Sequence, residues 1–161
     1  MKLILMRHAE AEALYQHDHD SERALTEQGN VQAVQVANWL RQQLAGETSL
    51  QLFASPYRRA QQTALHIAHA LKTPLLTLAG ITPNENVQQA LTALETAATA
   101  QAVVVVTHMP LIAALSHWLE SGLLSSVGQG FTLAEAHMLE LAFPAPGMAT
   151  RLRQFAPVAL A

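Results

Sequence analysis

The stretch Ala102–Val106, an alanine followed by four consecutive valines, restricts the fold more than any other part of this chain. β-Branched side chains in a row are stiff and favour extended backbone. The run shows no polar alternation, so it reads as a strand covered on both faces, the environment of a central parallel strand. Such a strand needs helices above and below it, and the remaining sequence offers them in alternation with short apolar runs. Lys2–Met6 and Leu50–Ala54 read as strands, and Leu75–Leu78 is a third candidate. A helix is expected from Thr26, with Val31, Val34, Ala37, Leu40 and Leu44 on one face and Ala45-Gly46 ending it. Ser55-Pro56 reads as the start of the next helix, serine capping and proline at the first position. That helix would bury Tyr57, Ala60, Ala64, Ile67, Ala68 and Leu71. Val87, Ala90, Leu91 and Leu94 mark a third helical stripe. A fourth begins at Pro110, with Leu111, Ile112, Leu115, Trp118 and Leu119 inward. Strands around Ala136–Phe143 and Thr150–Phe155 close the chain. This alternation predicts an α/β domain with a mostly parallel sheet.

Composition sets the function classes. The 161 residues carry no internal repeat, low-complexity tract or linker, so one domain spanning residues 1–161 is expected. Half of the residues are apolar but only 5% are aromatic, which favours alanine-lined helices packed closely on a sheet. The net charge of −3 leaves no electrostatic footprint for nucleic acid or an anionic membrane. Cysteine is absent, which removes disulfides, zinc-thiolate sites and a thiol nucleophile. Arg7 interrupts the apolar N-terminus, so no signal-peptide core forms there, and a cytoplasmic location is expected.

In an open α/β sheet, ligands bind beyond the carboxyl ends of the strands. The first strand ends in Arg7-His8, the second in Ser55-Pro56-Tyr57-Arg58-Arg59, and the valine strand in Thr107-His108. Two histidines and at least two arginines would then share one rim beside helix N-termini, whose N–H groups attract anions. Arginine forks bind phosphate bidentately. The constellation points to a phosphate site with a histidine nucleophile; each residue taken singly could equally be a solvated strand end. Arg58 and Arg59 differ by about 100° in helical direction, so only one of them can face that rim.

The residues that carry this site also carry a resemblance. Leu5-Met6-Arg7-His8-Ala9-Glu10-Ala11, Arg23-Ala24-Leu25-Thr26 with Gly29, Ser55-Pro56 with Arg59-Ala60 and Thr63, and Thr107-His108-Met109-Pro110 occur in order. Together they resemble the histidine phosphatase superfamily, the phosphoglycerate mutase-like fold. The short length without an inserted cap is similar to its small phosphohistidine phosphatase (SixA) branch. The first motif usually ends in glycine, where this chain has Ala9. The resemblance implies a three-layer α/β/α sandwich around a mostly parallel, six-stranded mixed sheet, with the first and valine strands adjacent. It also implies that His8 becomes phosphorylated, that Arg7, Arg59 and His108 hold the phosphoryl oxygens, and that Arg23 makes a phosphate or loop contact. No metal or cofactor is implied.

Departures from the family pattern bear on the substrate. In the acid phosphatase branch an aspartate follows the second histidine and protonates the leaving alkoxide; here Met109 stands there. In the mutase branch a glutamate after the third strand does so, and Glu85 is the candidate in this chain. Lacking an acid, an ester substrate would lose about 10²–10⁴ in rate. A phosphohistidine can instead leave as neutral imidazole, whose conjugate acid has a pKa near ~6.5. The expected activity is therefore hydrolysis of phosphohistidine on a signalling or phosphotransfer protein. The alternative is a small-molecule phosphomonoesterase or mutase-like enzyme using Glu85 as general acid. A phosphoprotein-binding module would require one of the four core residues to be missing, and none is.

Other polar residues read more simply. His17-Asp18-His19-Asp20 has the composition of a metal cluster but no partner ligands at helical spacing, so it is taken as a polar rim loop. His66, His69 and His117 fall opposite apolar stripes, and His137 lies on the apolar side of a late strand. Glu10 and Glu12 either orient the nucleophile or stabilise the loop. Thr63, one turn beyond Arg59, either braces it or packs.

Overall fold

The computed structural model describes residues 1–124 and 130–158. Among them six strands form one sheet: β1 (Lys2–Arg7), β2 (Leu50–Ala54), β3 (Leu75–Thr77), β4 (Ala102–Thr107), β5 (Ala136–Glu140) and β6 (Thr150–Phe155). The order across the sheet is β3-β2-β4-β1-β5-β6. β1, β2, β3 and β4 run parallel, whereas β5 is antiparallel to both β1 and β6. Every residue of β4 is buried, as its valine run requires. The helices are α1 (Glu27–Gln43), α2 (Arg58–Leu71), α3 (Val87–Ala97) and α4 (Leu111–Ser121). α1 and α2 cover one face, where Val36, Leu40, Ala64 and Ile67 meet Ile4, Leu52 and Val104. α3 and α4 cover the other, where Leu91, Leu94, Ile112 and Leu115 meet Leu5, Val103 and Val105. The expected α/β/α sandwich, mixed sheet and β1–β4 adjacency are all present.

Three local expectations differ. The buried face of α1 is Gly29, Ala33, Val36, Ala37 and Leu40, while Val34 is 44% exposed. The helix is rotated because its glycine, not a valine, lies against the β1 loop. A Cβ at Gly29 would fall 2.0 Å from the Glu10 carbonyl oxygen. Helix α2 starts at Arg58, two residues beyond Pro56, and its N-cap Tyr57 makes no side-chain cap. Ser55 donates its N–H to the Val106 carbonyl at 3.0 Å, so the sheet still claims its backbone where a cap was expected. β5 ends at Glu140, before the turn at Pro144, and leaves Phe143 57% exposed.

The register places the chemistry. Arg7 pairs with Thr107 at the last rung of β1 and β4. The His8 N–H continues the ladder to the Thr107 carbonyl at 3.0 Å, so His8 and His108 leave the sheet side by side.

Candidate active site

Beyond the carboxyl ends of β1, β2 and β4 lies an open cavity of about 390 Å³, whose walls include Arg7, His8, Asp20, Arg23, Arg59 and His108. His8 is 7% exposed. Its Nδ1 lies 2.7 Å from the Ala9 carbonyl, which can only accept, so Nδ1 carries the proton. Nε2 therefore keeps its lone pair, and Arg59 Nε points at it from 3.2 Å. Burial pushes the His8 imidazolium down to a pKa of about 3; the Ala9 carbonyl opposes this, and the charges of Arg59, Arg7 and Arg23 add to it. The ring is neutral across the physiological range, as a nitrogen nucleophile must be.

His108 is also buried, its ring 5.1 Å from that of His8 and edge-on to Tyr57 at 5.1 Å. Burial, then the neighbouring His8, lowers its pKa to about 2, with Arg59 and Arg7 in the same direction and Asp20 opposing. Both ring nitrogens of His108 and Nε of Arg7 are buried without a hydrogen-bond partner among the described residues. Leaving a buried polar group unsatisfied costs about 1–3 kcal/mol. Their concentration around one cavity suits an acceptor-rich anion.

The arginines are held from behind. Arg7 donates from one terminal nitrogen to the Phe131 carbonyl at 2.8 Å. Arg59 is 3% exposed, because the inward face of the first turn of α2 carries it; Arg58, one residue earlier, is exposed. Its guanidinium sits 5.0 Å from the Tyr57 ring centre and donates to Asp20 twice, to the carbonyl at 2.6 Å and to Oδ2 at 2.9 Å. Arg23 donates to the Glu12 carbonyl at 2.5 Å and to Asp20 Oδ1 at 2.9 Å. Thr63 ties two segments of the cavity rim together: its hydroxyl donates to the Arg59 carbonyl at 2.7 Å and accepts from the Ala9 N–H at 3.1 Å.

This arrangement can be set beside known proteins. The model of the histidine phosphatase superfamily (branch 1) matches residues 3–82. The phosphohistidine phosphatase SixA homolog of Haemophilus influenzae is 31% identical over 121 residues, covering 70% of this chain and 73% of that protein. The chain belongs to the histidine phosphatase superfamily. Within that superfamily its likeness is to the SixA branch. The structure of the protein histidine phosphatase SixA complexed with tungstate superposes with a TM-score of 0.81 at 28% identity over 97% of both chains. A mycobacterial glucosyl-3-phosphoglycerate phosphatase shares the fold at 18% identity, with a TM-score of 0.69 over 99% of both chains.

The residues expected from the sequence of this phosphatase divide cleanly. Arg7, His8, Arg23, Arg59 and His108 line one cavity. Glu85 does not join them. It lines a neighbouring, mostly apolar groove of about 440 Å³ with Val87, Pro110, Leu111 and Trp118, and its nearest polar partner is Thr82 Oγ1 at 3.4 Å. The physical reason is that the turn after the short 3₁₀ helix Ala79–Ile81 sends Pro83, not Glu85, to the cavity wall. Glu10 accepts from the Thr26 hydroxyl at 2.7 Å, and Glu12 accepts from His17 at 2.7 Å and from the Ala24 N–H, so both brace loops. His137 is fully buried, paired with Glu135 at 2.7 Å and stacked 3.8 Å from Phe131, whose carbonyl holds Arg7. The polar rim loop expected at His17–Asp20 does bring Asp20 to the cavity wall, but sequence reasoning missed its pairing with two arginines and the packing of Tyr57 against Arg59 and His108.

The buried imidazoles make a pH prediction. Their folded pKa values lie below the unfolded value of about 6.5. Their contribution is complete above that value and is lost as pH falls from about 6.5 toward 3, because the unfolded chain then binds protons that the folded chain refuses. Denaturant titrations should show stability level above pH 7 and declining below 6. The decline should be shallower in His108→Gln, which removes one of three buried imidazoles of lowered pKa, His8 and His137 remaining; an identical slope would contradict this assignment.

Proposed function

We propose that this phosphatase hydrolyses phosphohistidine carried by a protein of a phosphorelay or phosphotransfer chain, through a covalent phospho-His8. The observation that carries the proposal is the His8 Nε2 lone pair, fixed by the Ala9 carbonyl and facing a cavity ringed by Arg59, Arg7 and the unpartnered nitrogens of His108. His8 Nε2 attacks phosphorus in line, the P–N bond to the substrate imidazole breaks, and its electron pair stays on that ring. With its other nitrogen protonated, the ring leaves as neutral imidazole. Water then attacks phospho-His8, releasing phosphate and restoring the neutral side chain. Splitting the displacement in two replaces one difficult step with two easier ones.

Arg7, Arg59 and His108 stabilise the equatorial oxygens, the kind of preorganised contact worth about 3–4 kcal/mol per donor. Burial is the main cause that holds His108 neutral, and a neutral imidazole still donates one N–H to a phosphoryl oxygen. Arg23 lies one step back, through Asp20. Two carboxylates line this cavity, and both are already committed: Asp20 to two arginines, Glu10 to Thr26. A leaving alkoxide thus finds no poised acid, whereas an imidazole needs none. The SixA relatives support the same substrate class.

The test offers the purified protein a phosphohistidine-bearing phosphotransfer protein and p-nitrophenyl phosphate in parallel. The phosphoprotein should be turned over at least about 10²-fold faster, the scale of a missing general acid. Glu85→Gln should leave both rates within about twofold. Faster ester hydrolysis that Glu85→Gln abolishes would replace this reading with a small-molecule phosphomonoesterase.

A further inference from the structure

We propose that Asp20 is a resident anion that competes with phosphate for Arg59 and Arg23, keeping the released product weakly held. The inference rests on the phosphoryl-pocket reading above. Asp20 sits in a short turn, Asp20–Glu22, at the cavity mouth, with its side chain 39% exposed. Its carboxylate accepts from Arg59 through Oδ2 and from Arg23 through Oδ1, both at 2.9 Å, and its carbonyl takes a further Arg59 N–H at 2.6 Å.

With Arg59 Nε directed at His8, three of the five N–H donors of that guanidinium are engaged, one on each nitrogen. A phosphoryl group that uses Arg59 must therefore either displace the Asp20 carboxylate or share the guanidinium with it at close range. Arg7 and His108 differ in kind, since Arg7 Nε and both His108 ring nitrogens are buried with no partner among the described residues. The cavity thus combines unpartnered nitrogens with an arginine whose charge is partly matched, one carboxylate facing two guanidiniums. Such a carboxylate positions Arg59 and subtracts from the net attraction for a dianion. Burial by itself would favour the neutral acid, but hydrogen bonds from Arg23 and Arg59 outweigh it and hold the carboxyl below its ordinary pKa. Asp20 therefore remains charged at neutral pH and acts as a positioning residue, not a proton donor.

The experiment titrates inorganic phosphate into wild type, Asp20→Asn and Asp20→Glu by calorimetry. The same ligand is then measured as a product inhibitor of phosphoramidate hydrolysis. Asp20→Asn keeps the size of the side chain and the backbone carbonyl contact but removes the charge. It should bind phosphate about tenfold more tightly or better, with a matching fall in the inhibition constant. Asp20→Glu restores the charge and should return to within about threefold of wild type. A purely structural role predicts the reverse order, since a loosened Arg59 would weaken phosphate binding. Equal or weaker binding by Asp20→Asn, with measurable binding by wild type, overturns this inference and leaves the phosphoryl-pocket reading intact. Absence of phosphate binding by all three proteins overturns both.

Discussion

Replacing His8 with alanine should reduce phosphate release from a phosphohistidine protein by on the order of 10⁴-fold or more, the scale seen when a covalent nucleophile is removed. No phosphoryl group should then be trapped on the enzyme in a rapid acid quench. The fold should survive, because the ring makes one side-chain hydrogen bond, to the adjacent Ala9 carbonyl, and accepts one from Arg59. His8 Nε2 is the neutral nitrogen in the cavity whose orientation is fixed by a hydrogen bond on its own ring. His108, at 5.1 Å, has no such anchor among the described residues and cannot substitute for it. The measurement that checks the claim is quench-flow with a radiolabelled phosphoryl donor. A label that persists on the His8→Ala protein would place the nucleophile elsewhere.

The largest effect on stability is expected at Gly29, which carries no side chain of its own. Gly29 lies in the first turn of α1, its N–H capped by the Thr26 hydroxyl at 2.9 Å, and the place of its absent side chain is taken by the Glu10 backbone. The β-carbon of an alanine there would stand 2.0 Å from the Glu10 carbonyl oxygen and 3.0 Å from its carbon. Backbone cannot yield as a flexible side chain would. Either α1 lifts from the sheet or the segment carrying Glu10, two residues beyond His8, moves. Gly29→Ala should therefore cost about 2–4 kcal/mol, a fall of roughly 5–15 °C in Tm for a chain of this size, with activity lost in parallel. Gly130→Ala is the control. Among the described residues its new methyl would meet nothing nearer than Met109 Cε at 3.7 Å, so thermal unfolding should shift by no more than a degree or two. Equal shifts in the two variants would refute the close approach of α1 to the nucleophile loop.

Much of this was readable from residue order. Valines 103–106 in succession fix a strand buried on both faces, since a helix would be crowded by four β-branched neighbours and a half-exposed strand would show a polar alternation. The stripe Val87, Ala90, Leu91 and Leu94 predicted the buried face of α3 residue for residue. Arg7-His8 and Thr107-His108 end their strands in the sequence, and strand ends are where α/β sheets bind ligands. The choice of Arg59 over Arg58 came from the motif resemblance; helical spacing alone left it open, because it depends on where α2 begins. Pairing of Ser55 with Val106 delayed that start to Arg58.

What the order of residues determined by itself was the set of elements and the inventory of charged groups at their ends, because hydrophobic period and chain stiffness are local properties. Tertiary structure alone decided which of those groups meet. The β1–β4 register set His8 beside His108, and the glycine contact rotated α1 away from its valine stripe. A turn of three residues carried Asp20 onto two arginines, while Glu85 went to a different groove. Each of these contacts joins segments separated by loops or whole elements, except the Asp20–Arg23 pair. Their geometry is fixed by packing across the sheet, which no local spacing encodes.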